Sequence, residues 1–164
     1  MSETQKILGY RGYEKINQLN NDYIMKHTET GKLLMVFMCE DNLNIQILKV
    51  YVRCLEEIDI KHAIIIYKHK ITPSSKKILA SLKSLYEIEL FTFDEMSIDY
   101  KNMKYFYEHI KLEGDEKQEI IDKYGLKIPT ILKSDIIIRY LNYKKGDIIK
   151  ILRKDNYIHY RIIK

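Results

Sequence analysis

Leu33-Leu34-Met35-Val36-Phe37-Met38-Cys39 is an unbroken apolar run, closed by Gly31 on one side and by Glu40-Asp41-Asn42 on the other. So short and uniform a run is the pattern of a strand covered on both faces, since side chains on either side of its pleat must leave water. Ala63-Ile64-Ile65-Ile66-Tyr67 repeats it, and between the two Ile45, Leu48, Val52 and Leu55 recur at helical spacing up to Glu56-Glu57. Thr72-Pro73-Ser74-Ser75 breaks the pattern with turn chemistry that also caps a helix running to about Leu85. Glu87-Ile88-Glu89-Leu90-Phe91-Thr92-Phe93 then alternates as a third strand. Strands joined by helices read as right-handed crossovers, hence a small sheet with parallel pairs.

Towards the N-terminus, Tyr13, Ile16, Leu19, Tyr23 and Ile24 fall close to a helical stripe, so a helix is expected over Arg11 to Lys26. Towards the C-terminus the period is lost around Met96 to Tyr107, where a linker is expected, and a second unit begins near Lys104. Acids at Glu113, Asp115 and Glu116, apolar Ile120, Ile121 and Tyr124, and Gly125 predict a helix with its dipole complemented at both ends. Ser134 or Asp135 caps a shorter helix over Ile136 to Leu141. Asp147 to Leu152 and Tyr157 to Ile163 alternate around Arg153-Lys154-Asp155-Asn156 as a terminal β-hairpin. The expected fold is a small α/β domain with a partly parallel sheet over residues 1–103, then a small α+β module over 104–164. A module of that size buries only about 60% of its unfolded surface and should lean on a partner.

With 46% apolar and 31% charged residues, the 164-residue chain can bury a core, which excludes disordered and collagenous classes. No apolar run approaches the roughly 18 to 20 residues of a membrane-spanning helix. Two cysteines cannot make a disulfide framework, and the first residues lack the order of a signal peptide, so a reducing, intracellular setting is expected. The abundance of Lys, Ile, Tyr and Asn reads as a bias of an AT-rich genome.

Charge is unevenly placed. Residues 1–103 carry 14 basic and 14 acidic side chains, whereas residues 104–164 carry 14 and 9. From Lys123 to Lys164, 11 basic residues face only Asp135, Asp147 and Asp155, and Lys61 to Leu85 holds six Lys with no acid. Such asymmetry suits contact with a polyanion or an acidic partner, although a solvated lysine face gives the same pattern.

Catalytic signatures are sparse. Five scattered His and two Cys in apolar patterns offer no metal-ligand spacing, and there is neither a phosphate-binding Gly-rich loop nor a nucleophile elbow. One pattern stands out: Asp59-Ile60-Lys61 matches the Asp-x-Lys triplet of restriction-endonuclease-like nucleases, with Glu40 or Asp41 as the upstream acid. Two such acids would hold Mg²⁺ beside an attacking water.

The C-terminal stretch from Ser134 to Arg153, with Arg139-Tyr140-Leu141-Asn142-Tyr143-Lys144-Lys145-Gly146-Asp147 at its centre, and the closing Tyr157-Ile158-His159-Tyr160-Arg161 resemble one family. It is the fifth subunit shared by eukaryotic nuclear RNA polymerases, whose C-terminal half corresponds to a small archaeal polymerase subunit. His109-Ile110-Lys111-Leu112, the helix Glu116 to Tyr124 and Pro129 resemble further family motifs. Arg11-Gly12-Tyr13 and Ile71-Thr72-Pro73-Ser74-Ser75-Lys76-Lys77 are similar to motifs of the N-terminal half, which the archaeal counterpart lacks. Ile136 stands where the family has Pro, Asn142 where it has Gly, and residues are missing between Leu126 and Pro129. Asn142 can still take the left-handed conformation a Gly would supply. Shortening and AT bias together point to a large DNA virus or a fast-evolving protist.

The resemblance implies a non-catalytic subunit of a DNA-directed RNA polymerase, with no cofactor, metal, small-molecule substrate or membrane. An N-terminal jaw would contact downstream double-stranded DNA through Lys68, Lys70, Thr72, Pro73, Ser74, Lys76 and Lys77. A C-terminal assembly domain would bind the largest subunit through Arg139, Tyr140, Lys144, Lys145, Gly146, Lys150, Arg153, Tyr160 and Arg161, alongside other polymerase subunits. The address would be the nucleus for a cellular source, or a cytoplasmic factory and virion for a viral one. The alternatives are the metal-dependent nuclease and a free-standing basic nucleic-acid-binding module.

Overall fold

The apolar run Leu33–Cys39 is the middle strand of a five-stranded sheet: β1 (Tyr13–Leu19), β2 (Asp22–His27), β3 (Leu33–Cys39), β4 (His62–Tyr67) and β5 (Glu87–Thr92), lying in that order. The computed structural model describes residues 3–104, 106–153 and 157–164. β3, β4 and β5 are parallel, with Met35 opposite Ala63 and Ile65 opposite Leu90, while β1, β2 and β3 run antiparallel. The crossovers are α2 (Ile45–Glu57) and α3 (Pro73–Leu82). Right-handed crossovers that advance in one direction leave both helices on one face. There Leu48, Leu55 and Leu79 close over Met35, Phe37, Ala63 and Ile65. The other face carries buried Leu34, Val36, Ile64, Ile66 and Phe91, with buried Ile7 and Leu8 of α1 (Glu3–Gly9) and Met96 of α4 (Phe93–Ser97). Coverage on both faces is why these strands read as continuous apolar runs.

The helix expected over Arg11 to Lys26 is instead the β1–β2 hairpin, and the opening helix lies earlier, at α1. Asn20, with φ 56°, turns the chain back between Leu19 and Asp22. The pairing register shifts between Lys15 and Asn17, so Ile16 is the extra residue of a bulge. A bulge inserts one residue into a period-two pattern, which set Tyr13 and Ile16 three apart and imitated a helical stripe. Ile16 and Leu19, read as its apolar face, are 50% and 40% exposed.

Two compact units divide the chain, Met1–Ile98 and Asp99–Lys164. Two short elements fall at the start of the stretch expected as a linker. α4 opens on a capping box in which Thr92 and Glu95 satisfy each other's backbone N–H, and Tyr100–Asn102 forms a 3-10 turn. The second unit contains β6 (Glu108–Lys111), α5 (Gly114–Tyr124), β7 (Thr130–Ile131), α6 (Ile136–Tyr140), β8 (Ile148–Leu152) and β9 (Ile158–Ile163). Its sheet order is β6-β8-β9-β7, so the terminal hairpin β8–β9 is the centre of a four-stranded sheet, with β6 and β7 added to the sequence reading. Residues 154–156 of the hairpin turn lie outside the described residues. α5 covers one face, where its Ile120 clusters with Leu112, Ile128 and Ile148, and α6 the other, where its Ile138 clusters with Ile149, Ile151 and Ile163. Asp135 caps α6 by accepting from Ile137 N (2.9 Å) and Ile138 N (3.4 Å), and Gly125 ends α5 with φ 58°.

Candidate nucleic-acid and assembly surfaces

The segments that leave β3 and β4 at their C-terminal ends stay tied together. Lys68 N donates to Cys39 O (3.0 Å), Leu43 N to Lys70 O (2.9 Å) and Thr72 N to Leu43 O (3.2 Å), while Lys70 N reaches Asn42 Oδ1 (3.2 Å). Leu43 is fully buried and anchors the loop from below. At the start of α3 the Thr72 hydroxyl accepts from Ser75 N (3.3 Å) and meets the Ser75 hydroxyl at 2.9 Å, with Pro73 in the first helical turn. Ser75 is buried and Thr72 half-buried, so their role is to hold the loop. Lys68, Lys70, Pro73, Ser74, Lys76 and Lys77 are exposed. Rigid presentation of lysines near a helix N-terminus suits phosphate oxygens.

The same pairing brings exposed Glu40 and Asp41, on the neighbouring loop, to the end of the sheet that carries Lys68 and Lys70. A stretch that is acid-free along the chain is therefore bordered by two acids in space. Those acids also decide the nuclease reading. β3 and β4 are parallel, with Cys39 opposite Tyr67 and Met35 opposite Ala63, so Glu40 lies beyond one end of the pair and Asp59-Ile60-Lys61 at the other. Seven residues of strand separate them, about 23 Å, and two carboxylates that far apart cannot share a metal ion. Asp59 is 87% exposed and ion-paired with Lys61 at 3.2 Å.

A buried polar knot sits on the α1–α4 face. The Arg11 guanidinium, 5% exposed, donates from Nη1 and Nη2 to the two oxygens of Glu89 (2.9 and 3.0 Å), and His62 Nε2 meets Glu89 Oε1 at 2.8 Å. Burial pushes the Glu89 carboxyl up, but the His62 hydrogen bond and the charge and hydrogen bonds of Arg11 together hold it below its ordinary value. His62, Glu87 and Glu89 bring three potential metal-ligand atoms within 4.8 Å of one another. Arg11 already occupies both oxygens of Glu89, so the positive charge this cluster needs is supplied by the protein. Gly12, at φ +79°, packs so close to His27 that a Cβ would lie 3.1 Å from Nε2. Arg11-Gly12-Tyr13, a family-like motif in the sequence, thus has a structural role of its own: it ties the start of β1 to β5, 78 residues away.

The assembly candidates of the second unit are scattered. Tyr140 is 1% exposed with its ring edge-on to Tyr100 at 5.2 Å, so it supports the surface from beneath. Lys144, Lys145 and Gly146 form an exposed turn ahead of β8, pinned by Lys144 N donating to Asp147 Oδ2 (2.8 Å) and by Asn142 at φ 57°. Asn142 has the left-handed conformation expected of it. Arg153 stands at the far end of β8, over the Tyr107 ring at 5.3 Å. Lys150 pairs with Glu116 of α5 at 3.1 Å, and Tyr160 packs on the same face, whereas Arg161 alternates to the α6 face. Arg139 is half-buried in the last turn of α6. His109, half-buried with Nδ1 2.6 Å from Tyr107 O, is held below its ordinary pKa chiefly by burial. No helix among the described residues is long and apolar enough to cross a membrane.

Residues 98–163, almost the whole of the second unit, match the family model of the RNA polymerase Rpb5 C-terminal domain. Among curated proteins, the chain is similar to the DNA-directed RNA polymerases I, II, and III subunit RPABC1 of Caenorhabditis briggsae and of Caenorhabditis elegans. Each is 29% identical over 138 residues, covering 79% of this chain. The matched stretch spans 65% of the length of those relatives. The central β8–β9 hairpin and α6 lie inside the matched residues, so the C-terminal unit carries this chain's similarity to the RNA polymerase Rpb5 C-terminal domain family.

Proposed function

We propose that the chain is a non-catalytic, fifth-subunit-type component of a multi-subunit DNA-directed RNA polymerase, with the C-terminal unit as the assembly element that binds the largest subunit. The observation that carries the reading is the family match over 98–163, which coincides with a compact unit, together with the similarity to the RPABC1 relatives across most of the chain. The N-terminal unit would contact downstream duplex DNA with the lysines of the loop from Lys68 to Lys77. The exposure of Lys68 and Lys70 on a hydrogen-bonded loop, and of Lys76 and Lys77 in the first turns of α3, supports that role, and contact through phosphates alone suits a machine that slides over every sequence.

Purification of the tagged full-length chain from its own cells, with mass spectrometry of what accompanies it, tests the reading. Stoichiometric recovery of the two very large catalytic chains of a polymerase is the expected result. A chain that purifies alone and binds DNA tightly as a monomer is the free-standing module, and the subunit reading falls.

A further inference from the structure

β9 is paired unequally along its two sides. β8 runs beside it from Ile158 to Ile162, whereas β7 meets only Ile162 and Ile163. Hydrogen bonds fix which backbone groups face which neighbour. Ile163 N donates to Asp147 O (3.0 Å) and Arg153 N to Tyr157 O (3.0 Å) on the β8 side. Ile162 N donates to Pro129 O (3.0 Å) and Lys164 N to Ile131 O (3.0 Å) on the β7 side. These groups alternate along a strand, so the N–H and C=O of Ile158 and Tyr160 point away from β8. The β7 ladder stops there for a local reason. One step further along a parallel ladder the Tyr160 carbonyl would accept from the N–H of residue 129, and Pro129 has none.

This open edge, at Ile158 to Tyr160 among the described residues, borders a cavity of about 440 Å³. Tyr124, Ile128, Pro129 and Tyr160 give it an apolar floor, with the two Tyr rings 6.1 Å apart and Tyr124 44% exposed. Lys123 and Lys127 supply its charge, and no carboxylate lines it among the described residues. Proteins usually blunt a strand edge or cover it, and an edge with a cationic border repels other cationic segments while admitting acidic ones.

The geometry points to β9 as the acceptor of an added strand: an extended, acidic segment of a partner polypeptide of the polymerase. That segment pairs with the backbone of Ile158 and Tyr160, seats an apolar side chain on Tyr124 and Pro129, and sets carboxylates against Lys123 and Lys127. The inference rests on the C-terminal unit being an assembly element and adds which edge is used and what chemistry it takes.

The test is selection of a random twelve-residue peptide library on the immobilised full-length chain, followed by titration of the enriched peptides. Enrichment of period-two sequences rich in Asp and Glu is expected, with hydrogen exchange at the Ile158 and Tyr160 amides slowed on binding. Ile158→Pro removes an outward N–H while leaving the β8 ladder intact, and should weaken binding at least tenfold. Lys123→Glu with Lys127→Glu, on an exposed surface that does not threaten the fold, should do the same. No enrichment, enriched peptides without acidic residues, or affinity unchanged in the Lys pair variant overturns the proposal. Purification of the unaltered chain with its catalytic partners is read separately: recovery of polymerase without peptide binding refutes the open edge and leaves the subunit reading standing.

Discussion

Arg11→Met removes the guanidinium that holds Glu89 and leaves a carboxylate only 13% exposed on the α1–α4 face. Breaking a buried ion pair from one side costs about 3 to 5 kcal/mol, because the remaining charge keeps its desolvation penalty without its partner. His62 stays 2.8 Å from Glu89 and keeps a hydrogen-bonding partner on the carboxyl, so the loss belongs at the lower end, about 3 kcal/mol. For a unit of this size each kcal/mol moves the melting temperature by about 4 to 8 °C, so thermal unfolding should shift by roughly 12 to 24 °C. Arg11→Met with Glu89→Leu removes both charges and should recover most of the loss. The pH dependence has a definite sign. Glu89 is held below its ordinary value of 4.5 in the folded chain, so its stabilisation is present above that pH and fades as pH falls through the depressed value. In Arg11→Met the carboxyl loses the lowering by the guanidinium and sits higher than in the wild type, so the gap between the two should narrow as pH falls towards the wild type's depressed value. The assay is thermal unfolding at pH 7 and pH 4, with hydrogen exchange of β1 and β5 amides assigning the loss to the N-terminal unit. A loss under about 1 kcal/mol, or a double variant no more stable than the single one, refutes the reasoning.

Replacing Lys68, Lys70, Lys76 and Lys77 with Gln should leave incorporation into polymerase intact and flatten the log-log salt slope of polymerase–DNA binding by about 0.9 for each phosphate no longer neutralised; an unchanged slope removes the loop from the DNA interface. Conversely, Glu40→Gln with Asp41→Asn should strengthen the same binding at low salt, read by titration. Gly12→Ala combines a left-handed φ with a Cβ 3.1 Å from His27 and should destabilise by about 1 to 3 kcal/mol in thermal unfolding, more than Gly146→Ala, whose Cβ meets nothing within 4 Å. Reversing charge at Lys144 and Lys145 should weaken recovery of the chain in polymerase independently of Arg153→Glu, because the two sites lie at opposite ends of β8, about 17 Å apart; strong non-additivity would place them on one partner surface.

The sequence by itself determined the elements whose pattern is local. Leu33–Cys39 and Ala63–Tyr67 read as buried strands because both faces are covered, and Thr72-Pro73 and Asp135 announced helix starts because caps act within one turn. The family motifs at 134–161 were legible for the same reason, as ordered residues along one stretch. The Ile16 bulge was not, since an inserted residue destroys the very period that identifies a strand. Nor were the short strands β6 and β7, whose four and two residues carry no periodic signal and exist because β8 and β9 offer them edges. Only the tertiary structure brought Arg11 to Glu89 across 78 residues, set Glu40 and Asp41 beside Lys68 and Lys70, and parted Glu40 from Asp59. Parallel pairing of β3 and β4 decides the last two outcomes, because it sends both strand ends of one kind to one side of the sheet whatever their distance along the chain. The open edge of β9 belongs to both levels: Pro129 is visible in the sequence, but that its missing N–H falls opposite Tyr160 is a matter of register.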